Sequence, residues 1–330
     1  MFGNLVNAQD LVYLIRAIRS GRVIQIVRRL LGGRARTVQS TWAHVETPPI
    51  RFWDIPTVHR RTTRLITGDA DLDYIQYLAE KHFAGREALI GFSLGCGAGL
   101  KELTWASHVP FARLDACDIS PQRVAAAQAN AHERSITSVH FHVGDVYAMQ
   151  WPAQHYDVVF SDQSMHHMTP LEPLCANIRR TLKPHGYLIL SEYVGPSRFQ
   201  WTDRQLEAVN AVLTLLPERY RVSWEDRSIK RRVHRPSRLR MMLSDPSEAV
   251  ESAKIIPTLE RHFDIVERRD YGGTLIHPLF ADIAANFQGN DENTQRLLDL
   301  CFQIEDDLLA HGELSSDFTL MVCQPKLKVS

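Results

Sequence analysis

The period of the apolar positions changes along the chain. Over the first 36 residues it is helical: Leu11, Leu14, Ile15 and Ile18 fit i, i+3, i+4, i+7, and Val23, Ile26, Val27 and Leu30 repeat that spacing after Gly21. Leu72, Ile75, Leu78 and Ala79 give a further helical stretch. From residue 88 short, continuous apolar runs take over, and they predict strands at Ala88 to Leu94, Arg113 to Asp118, Val139 to Val143, Tyr156 to Ser161, Gly186 to Leu190, Phe263 to Arg268 and Phe318 to Cys323. Strands alternating with helices imply an α/β, doubly wound, mostly parallel sheet covered on both faces.

Capping chemistry marks the helices between the strands. Ser120-Pro121 reads as an N-cap with a first-turn proline, and Thr169-Pro170-Leu171-Glu172 as a capping box. Lys183-Pro184-His185-Gly186 closes the second of these helices. Thr202 with Gln205, and Asp245-Pro246 with Glu248, predict two more helix starts inside a predominantly helical insertion. The chain then divides into an N-terminal helical extension or cap (1–86), a nucleoside-binding core (87–200), a helical lid or substrate insertion (201–260) and a C-terminal part of the core carrying the last strand pair (261–330).

Composition narrows the class. At 330 residues, 44% hydrophobic and 23% charged, the chain buries enough apolar surface to fold as a globular protein. Lys+Arg 38 balances Asp+Glu 38, so no global field recruits nucleic acid or lipid and charged partners must be met locally. No apolar run reaches the ~20 residues of a membrane-spanning helix. The N-terminus lacks the basic, apolar and small-residue order of a secretory signal. The five cysteines are scattered without metal-ligand spacing, which predicts reduced thiols, a cytoplasmic location and no metal set.

Local charge is uneven. The first 36 residues hold Arg16, Arg19, Arg22, Arg28, Arg29, Arg34 and Arg36 against the single acid Asp10. Two readings of that segment stand: helices packed on the parent domain or on another subunit of a homo-oligomer, or a peripheral contact with an anionic membrane. The second cluster, Arg227, Lys230, Arg231, Arg232, His234, Arg235, Arg238 and Arg240, suits a phosphate or carboxylate on a ligand, or a solvated surface. Nucleic acid is disfavoured because no aromatic-basic repeat accompanies it.

The sharpest chemical signal is Ser93-Leu94-Gly95-Cys96-Gly97-Ala98-Gly99, between an apolar strand and a helical segment. Glycine there allows a tight reversal and close approach of backbone to a ligand. The spacing is GxGxG, and Leu100 occupies the place of the third glycine in a dinucleotide fingerprint. The second strand ends in Asp118, where a carboxylate accepts both ribose hydroxyls of an adenosine. The third ends in Gly144-Asp145-Val146, with an acid placed for an adenine amine. The fourth delivers Ser161-Asp162-Gln163 and the pair His166-His167.

In order and spacing SLGCGAG, CDIS, VGDV, SMHHM and LKPHGYLIL resemble the motifs of class I S-adenosylmethionine-dependent methyltransferases, over about residues 87 to 192. SEYVGPSRFQWTD, DPSEAVES and YGGTLIHPLF resemble a bacterial subgroup associated with glycan or small-molecule biosynthesis. The resemblance implies a seven-stranded Rossmann-like sheet closed by an antiparallel pair, with S-adenosyl-L-methionine as cofactor. It also implies that Gly95, Gly97 and Gly99 approach methionine and ribose, with Ser93 and Cys96 in the same turn. Asp118 and Ile119 hold the ribose, Asp145 and Val146 frame the adenine, and Ser161, Asp162 and Gln163 face the methionine amine. The family usually has an acid where this chain has Ser93, so another group, expected from the 53–64 region, must meet that amine.

Methyl transfer relies mostly on positioning, and a hydroxyl acceptor additionally calls for a base. His166, His167 and Glu192 lie just past the strand ends, with His166 first choice as base. Tyr193, Arg198, Phe199, Trp201 and His277 form the expected wall for a ring- or sugar-bearing acceptor. The expected reaction is O-methylation of a small molecule or glycan. N-methylation of a metabolite, a nicotinamide-dependent oxidoreductase that would share Asp118, and a non-catalytic assembly subunit are the alternatives.

Overall fold

A computed structural model describes Asp10 and residues 50–326. Apart from Asp10, the amphipathic segment 1–36, with its two proposed contacts, lies outside the described residues.

All seven strands form: β1 Leu89–Leu94, β2 Phe111–Asp118, β3 Val139–Val143, β4 Tyr156–Asp162, β5 Leu182–Tyr193, β6 Phe263–Asp270 and β7 Phe318–Pro325. They make one sheet in the order β3-β2-β1-β4-β5-β7-β6. The first five run parallel, and β7 lies antiparallel between β5 and β6. This is the seven-stranded Rossmann-like sheet with an antiparallel last pair that the resemblance implies. Its strand order reverses between β1 and β4, and the crevice at the carboxyl ends there is where such sheets bind ligands.

Described helices are α1 Pro56–Thr67, α2 Tyr74–His82, α3 Leu100–His108, α4 Pro121–Glu133, α5 Leu171–Thr181, α6 Asp203–Leu215, α7 Arg238–Ser244, α8 Ile255–His262, α9 Ile276–Phe280 and α10 Glu292–Ala310. They cover both faces of the sheet. Along β4 the pleat sends Val158 and Phe160 to one face, with Leu103, Trp105 and Ile189, and Val159 to the other, with Leu174, Ile178 and Leu259. The first face continues through Phe52, Ile55 and Val58 to Phe318 and Val322, so the segment before α1 shares the core of the last strand.

Two helix starts form as expected: Ser120 Oγ accepts from Arg123 N, and Thr202 Oγ1 from Gln205 N. Elsewhere tertiary contacts override the local signal. Thr169 does not cap α5; its hydroxyl donates to Glu251 at 2.7 Å, and Pro170 takes the cap position without a side-chain bond. Asp245-Pro246 opens no helix, because Asp245 Oδ1 accepts from both the backbone N and the hydroxyl of Ser247 in a closed turn. Lys183 to His185 belong to β5, bulging between the pairs Tyr156–Leu182 and Val158–Tyr187. The insertion is less helical than expected, being irregular over 222–237 apart from a bridge between Val222 and Ile229.

The second basic cluster does not act as one patch. Lys230 Nζ donates to the carbonyls of Pro278, Leu279 and Ala281 at the end of α9. Arg235 donates to the Trp201 carbonyl and to Asp203. All five cysteines are buried, free thiols.

Candidate active site

At the carboxyl edge around the switch point lies a cavity of about 450 Å³, within the size range of small-molecule sites. Its floor is the turn after β1. Gly95 stands at φ +64, and a Cβ there would come within 2.7 Å of Ser164 Cβ, so only glycine lets the two loops close. Gly97 is also left-handed at φ +54, and its N–H donates to Asp118 Oδ2 at 2.9 Å. Gly99 has another reason to be glycine: a Cβ would meet Phe141 and Ala127 at under 3 Å, so its work is packing α3 against β3 and α4. The expected ligand approach by Gly99 therefore gives way to a packing role.

Asp118 is buried with an edge on the cavity. Gly97 N–H reaches one oxygen, and Ser120 N–H the other at 2.8 Å. A carboxylate has about four acceptor positions, so two remain for a pair of vicinal hydroxyls. Ile119, Asp145 and Val146 line the same cavity. Asp145 Oδ1 also accepts from Tyr147 N, a turn that fixes the loop. Tyr147 OH donates to Pro170 O at 3.1 Å across the rim. Gln163 completes the far wall, its amide donating to Ser191 O and Tyr271 OH.

Behind Ser93 stands a buried carboxyl. Ser93 Oγ donates to Glu102 Oε1 at 2.6 Å, and Glu102 Oε2 is buried without a partner. Burial pushes this carboxyl up to about 7, against the stabilising bond from Ser93. Tyr74 OH donates to Asp162, which lies 4.0 Å from Lys101 Nζ, and burial holds both Tyr74 and Asp162 above their ordinary values. The 53–64 segment plays no part here: Trp53 packs on Phe318, and Arg61 pairs with Glu305 and Asp306. Ser93, Cys96, Gly97, Gly99, Ser161 and Asp162 thus stand behind the cavity wall rather than in it. Glu102 and Tyr74 had no separate mark in the sequence, since each reads as an ordinary helical position.

The turn after β4 is built on Glu192. Its Oε1 accepts from Ser161 Oγ and from the N–H groups of Ser164 and Met165, at 2.6–2.8 Å. Its Oε2 accepts from His166 Nδ1 at 2.7 Å. With both oxygens engaged and no exposure, Glu192 is a positioning residue and not a free base. A carboxylate only accepts, so His166 carries a proton on Nδ1 and turns Nε2 toward Glu248 Oε1, 3.7 Å away. Burial opposes charge on His166, but Glu192 and then Glu248 outweigh it and hold the imidazole above its ordinary value. His167 is the histidine that lines the cavity, and burial with the neighbouring His166 drives it well below. Glu248 is pushed up to about 7 by burial, opposed by His166.

The expected acceptor wall is core. Tyr193 and Trp201 are buried, and with Phe199 and Phe318 they enclose His277 at ring separations of 5.4–6.2 Å. Burial, then Lys230, drives His277 down to about 3, leaving it neutral. None of these side chains lines the cavity; Tyr193 at the end of β5, the segment after it, His277 on α9 and Phe318 on β7 pack together in the core. Arg198 serves the loop of Glu248 instead, reaching the carbonyls of Asp245 and Glu248 at 3.5 and 3.4 Å. In their place the cavity presents Arg123, Tyr147, Ser164, Met168, Thr169 and Pro170. Ser164 and Met168 flank the histidines in SMHHM and Thr169-Pro170 follow it, while Arg123 and Tyr147 lie just past CDIS and VGDV.

Comparison with known proteins bears on the same stretch. The chain is 28% identical over 149 residues to a malonyl-[acyl-carrier protein] O-methyltransferase of Halalkalibacterium halodurans, covering 44% of this chain and 54% of the relative. It is 25% identical over 113 residues to phosphoethanolamine N-methyltransferase 2 of Caenorhabditis elegans, covering 34% and 25%. The chain thus spans about half or less of these curated relatives. Among solved structures, the Haemonchus contortus phosphoethanolamine N-methyltransferase 2 bound to S-adenosyl-L-methionine aligns with 84% of this chain and 59% of its own, at 13% identity and a TM-score of 0.48. Residues 92–190, which hold the glycine turn, Asp118, Asp145 and the histidine pair, match the family model for a methyltransferase domain.

Proposed function

We propose that the chain transfers the methyl group of S-adenosyl-L-methionine to an oxygen of a small-molecule acceptor. The observation that carries this reading is the convergence of Gly95, Asp118, Ile119, Asp145, Val146 and Gln163 on one cavity at the switch point. The residues fit the group: two free acceptor positions on Asp118 for the ribose, an acid at 145 beside the apolar Val146 for the adenine, and Gln163 on the far wall. When bound, the cofactor supplies an electrophilic methyl. The protein's share is to orient donor and acceptor and to exclude water, a contribution of about 7–11 kcal/mol in well-aligned systems.

His167 on the wall, with His166 and Glu192 behind it, marks the acceptor side. An oxygen acceptor accords with this polar pair, which stands where an acceptor hydroxyl would be met. One relative acts on oxygen and another on nitrogen, so the acceptor atom rests on the pair alone. The test is incubation of the full chain with methyl-labelled donor and a panel of hydroxylated and amine-bearing small molecules. Label on oxygen is expected. Label confined to nitrogen would overturn the acceptor assignment, and no donor consumption with any acceptor would overturn the activity.

A further inference from the structure

We infer that His166, His167 and Glu248 form a binding site for a first-row divalent cation of the zinc or ferrous class, set in the wall of the cavity. One ligand atom from each residue lies within 4.8 Å of the others. With metal–ligand bonds of about 2.0–2.2 Å, tetrahedral ligands stand roughly 3.4 Å apart; His166 Nε2 and Glu248 Oε1 are already at 3.7 Å, and the widest separation closes by small side-chain rotations.

The groups around the cluster are arranged as those around a metal are. His166 gives Nδ1–H to the immobile Glu192 and keeps Nε2 toward Glu248, which is the carboxylate–histidine relay that orients a ligating imidazole. The 3.7 Å between Nε2 and Glu248 Oε1 is too long for a hydrogen bond, so the pair does not satisfy itself. The loop bringing Glu248 is fixed from two sides: Val250 N–H donates to His166 O at 3.1 Å, and Arg198 holds the carbonyls at 245 and 248. Ser247 Oγ lies 3.3 Å from His167 Nδ1, which fixes the second ring. Two imidazoles with one carboxylate favour zinc, iron or a similar ion over magnesium or calcium, which prefer all-oxygen sets.

Three protein ligands leave a coordination position open, and His167 turns that side of the site to the cavity. The use of the ion there rests on the methyl-transfer reading; its binding does not. An acceptor hydroxyl on the open position loses its proton to water more easily. An oxygen lone pair then forms the O–CH3 bond while the S–CH3 bond breaks and its electron pair stays on sulfur. In this arrangement the histidine pair acts by holding the ion rather than by taking the proton.

The test strips the full-length chain with a chelator and titrates it with Zn2+ by calorimetry, with Co2+ absorption as a second readout. One ion per chain is expected. Glu248→Gln and His167→Gln should each weaken Zn2+ by tenfold or more, with far-ultraviolet dichroism unchanged, and Glu248→Gln should bind S-adenosylhomocysteine within twofold of wild type. No saturable Zn2+ binding, or binding that both folded variants retain, overturns the site. Should either glutamine variant unfold, Glu248→Asp replaces it: a weaker but measurable Co2+ spectrum supports the site, and an unaltered one overturns it. Zn2+ binding without S-adenosylhomocysteine binding would leave the site standing and remove only the methyl-transfer reading.

Discussion

The two halves of the sheet's carboxyl edge use their polar groups in opposite ways. On the β1–β3 side, Asp118 and Asp145 are held by backbone N–H groups and still present acceptor positions to the cavity. On the β5 side, Glu192 is consumed by the turn it supports, and Tyr193 packs with Trp201 and His277 in the core. A carboxylate at a strand end thus keeps acceptor positions toward the cavity on one side and is a structural post on the other. The difference lies in what covers it: an open rim at 144–147, and the 245–250 loop sealed by Arg198 and the Val250 hydrogen bond.

Mutations break this comparison at its two ends. On the proposed reading Asp118→Ala removes the two charge-assisted bonds offered to the ribose, each worth about 1.5–3 kcal/mol, and should weaken S-adenosylhomocysteine roughly a hundred- to ten-thousand-fold in calorimetry. Glu192→Ala should act on folding instead. It strips the acceptor from the N–H groups of Ser164 and Met165 and from His166, so urea denaturation should show a loss of about 3–5 kcal/mol. If Glu192→Ala folded as stably as wild type, the post would be no post.

Glu102 sharpens the contrast through pH. Its carboxyl is raised from 4.5 to about 7 in the folded chain, so the stability it contributes is complete below about 4.5 and is lost as pH rises through 7. Glu102→Gln should flatten that part of the stability profile and gain up to about 3 kcal/mol at pH 8, measured by denaturant titration across pH. Asp317 and Glu248, both also near 7, keep their own slopes in the variant. The smallest effect is expected from Tyr193→Phe, which loses one bond to Pro196 O: about 1 kcal/mol of stability, with S-adenosylhomocysteine affinity unchanged. A large loss of ligand affinity would return Tyr193 to the cavity.

What the sequence disclosed follows the same division. The strands and the glycine turn were legible because their causes are local: apolar runs, a reversal that needs positive φ at Gly95 and Gly97, and acids at or two residues past a strand end. The groups around His166 were not. Glu248 looks like a helix-start residue beside Asp245-Pro246, and only the turn closed by Ser247 and the reach of Arg198 bring it to the histidines. Glu102 likewise sits in the first turn of α3 with nothing to mark it, until folding buries it against Ser93. The aromatic cluster misleads for the converse reason, since rings at a strand end serve a core as well as a ligand, and Phe318 from β7 decides between them.

The central claim is that the cavity around Asp118 and Gly95 holds an adenosyl group. Equilibrium dialysis of the folded full-length chain against S-adenosylhomocysteine tests it most directly. One molecule retained per chain, and none by folded Asp118→Ala, is the predicted result; no retention by the wild-type chain, or equal retention by the variant, would contradict it.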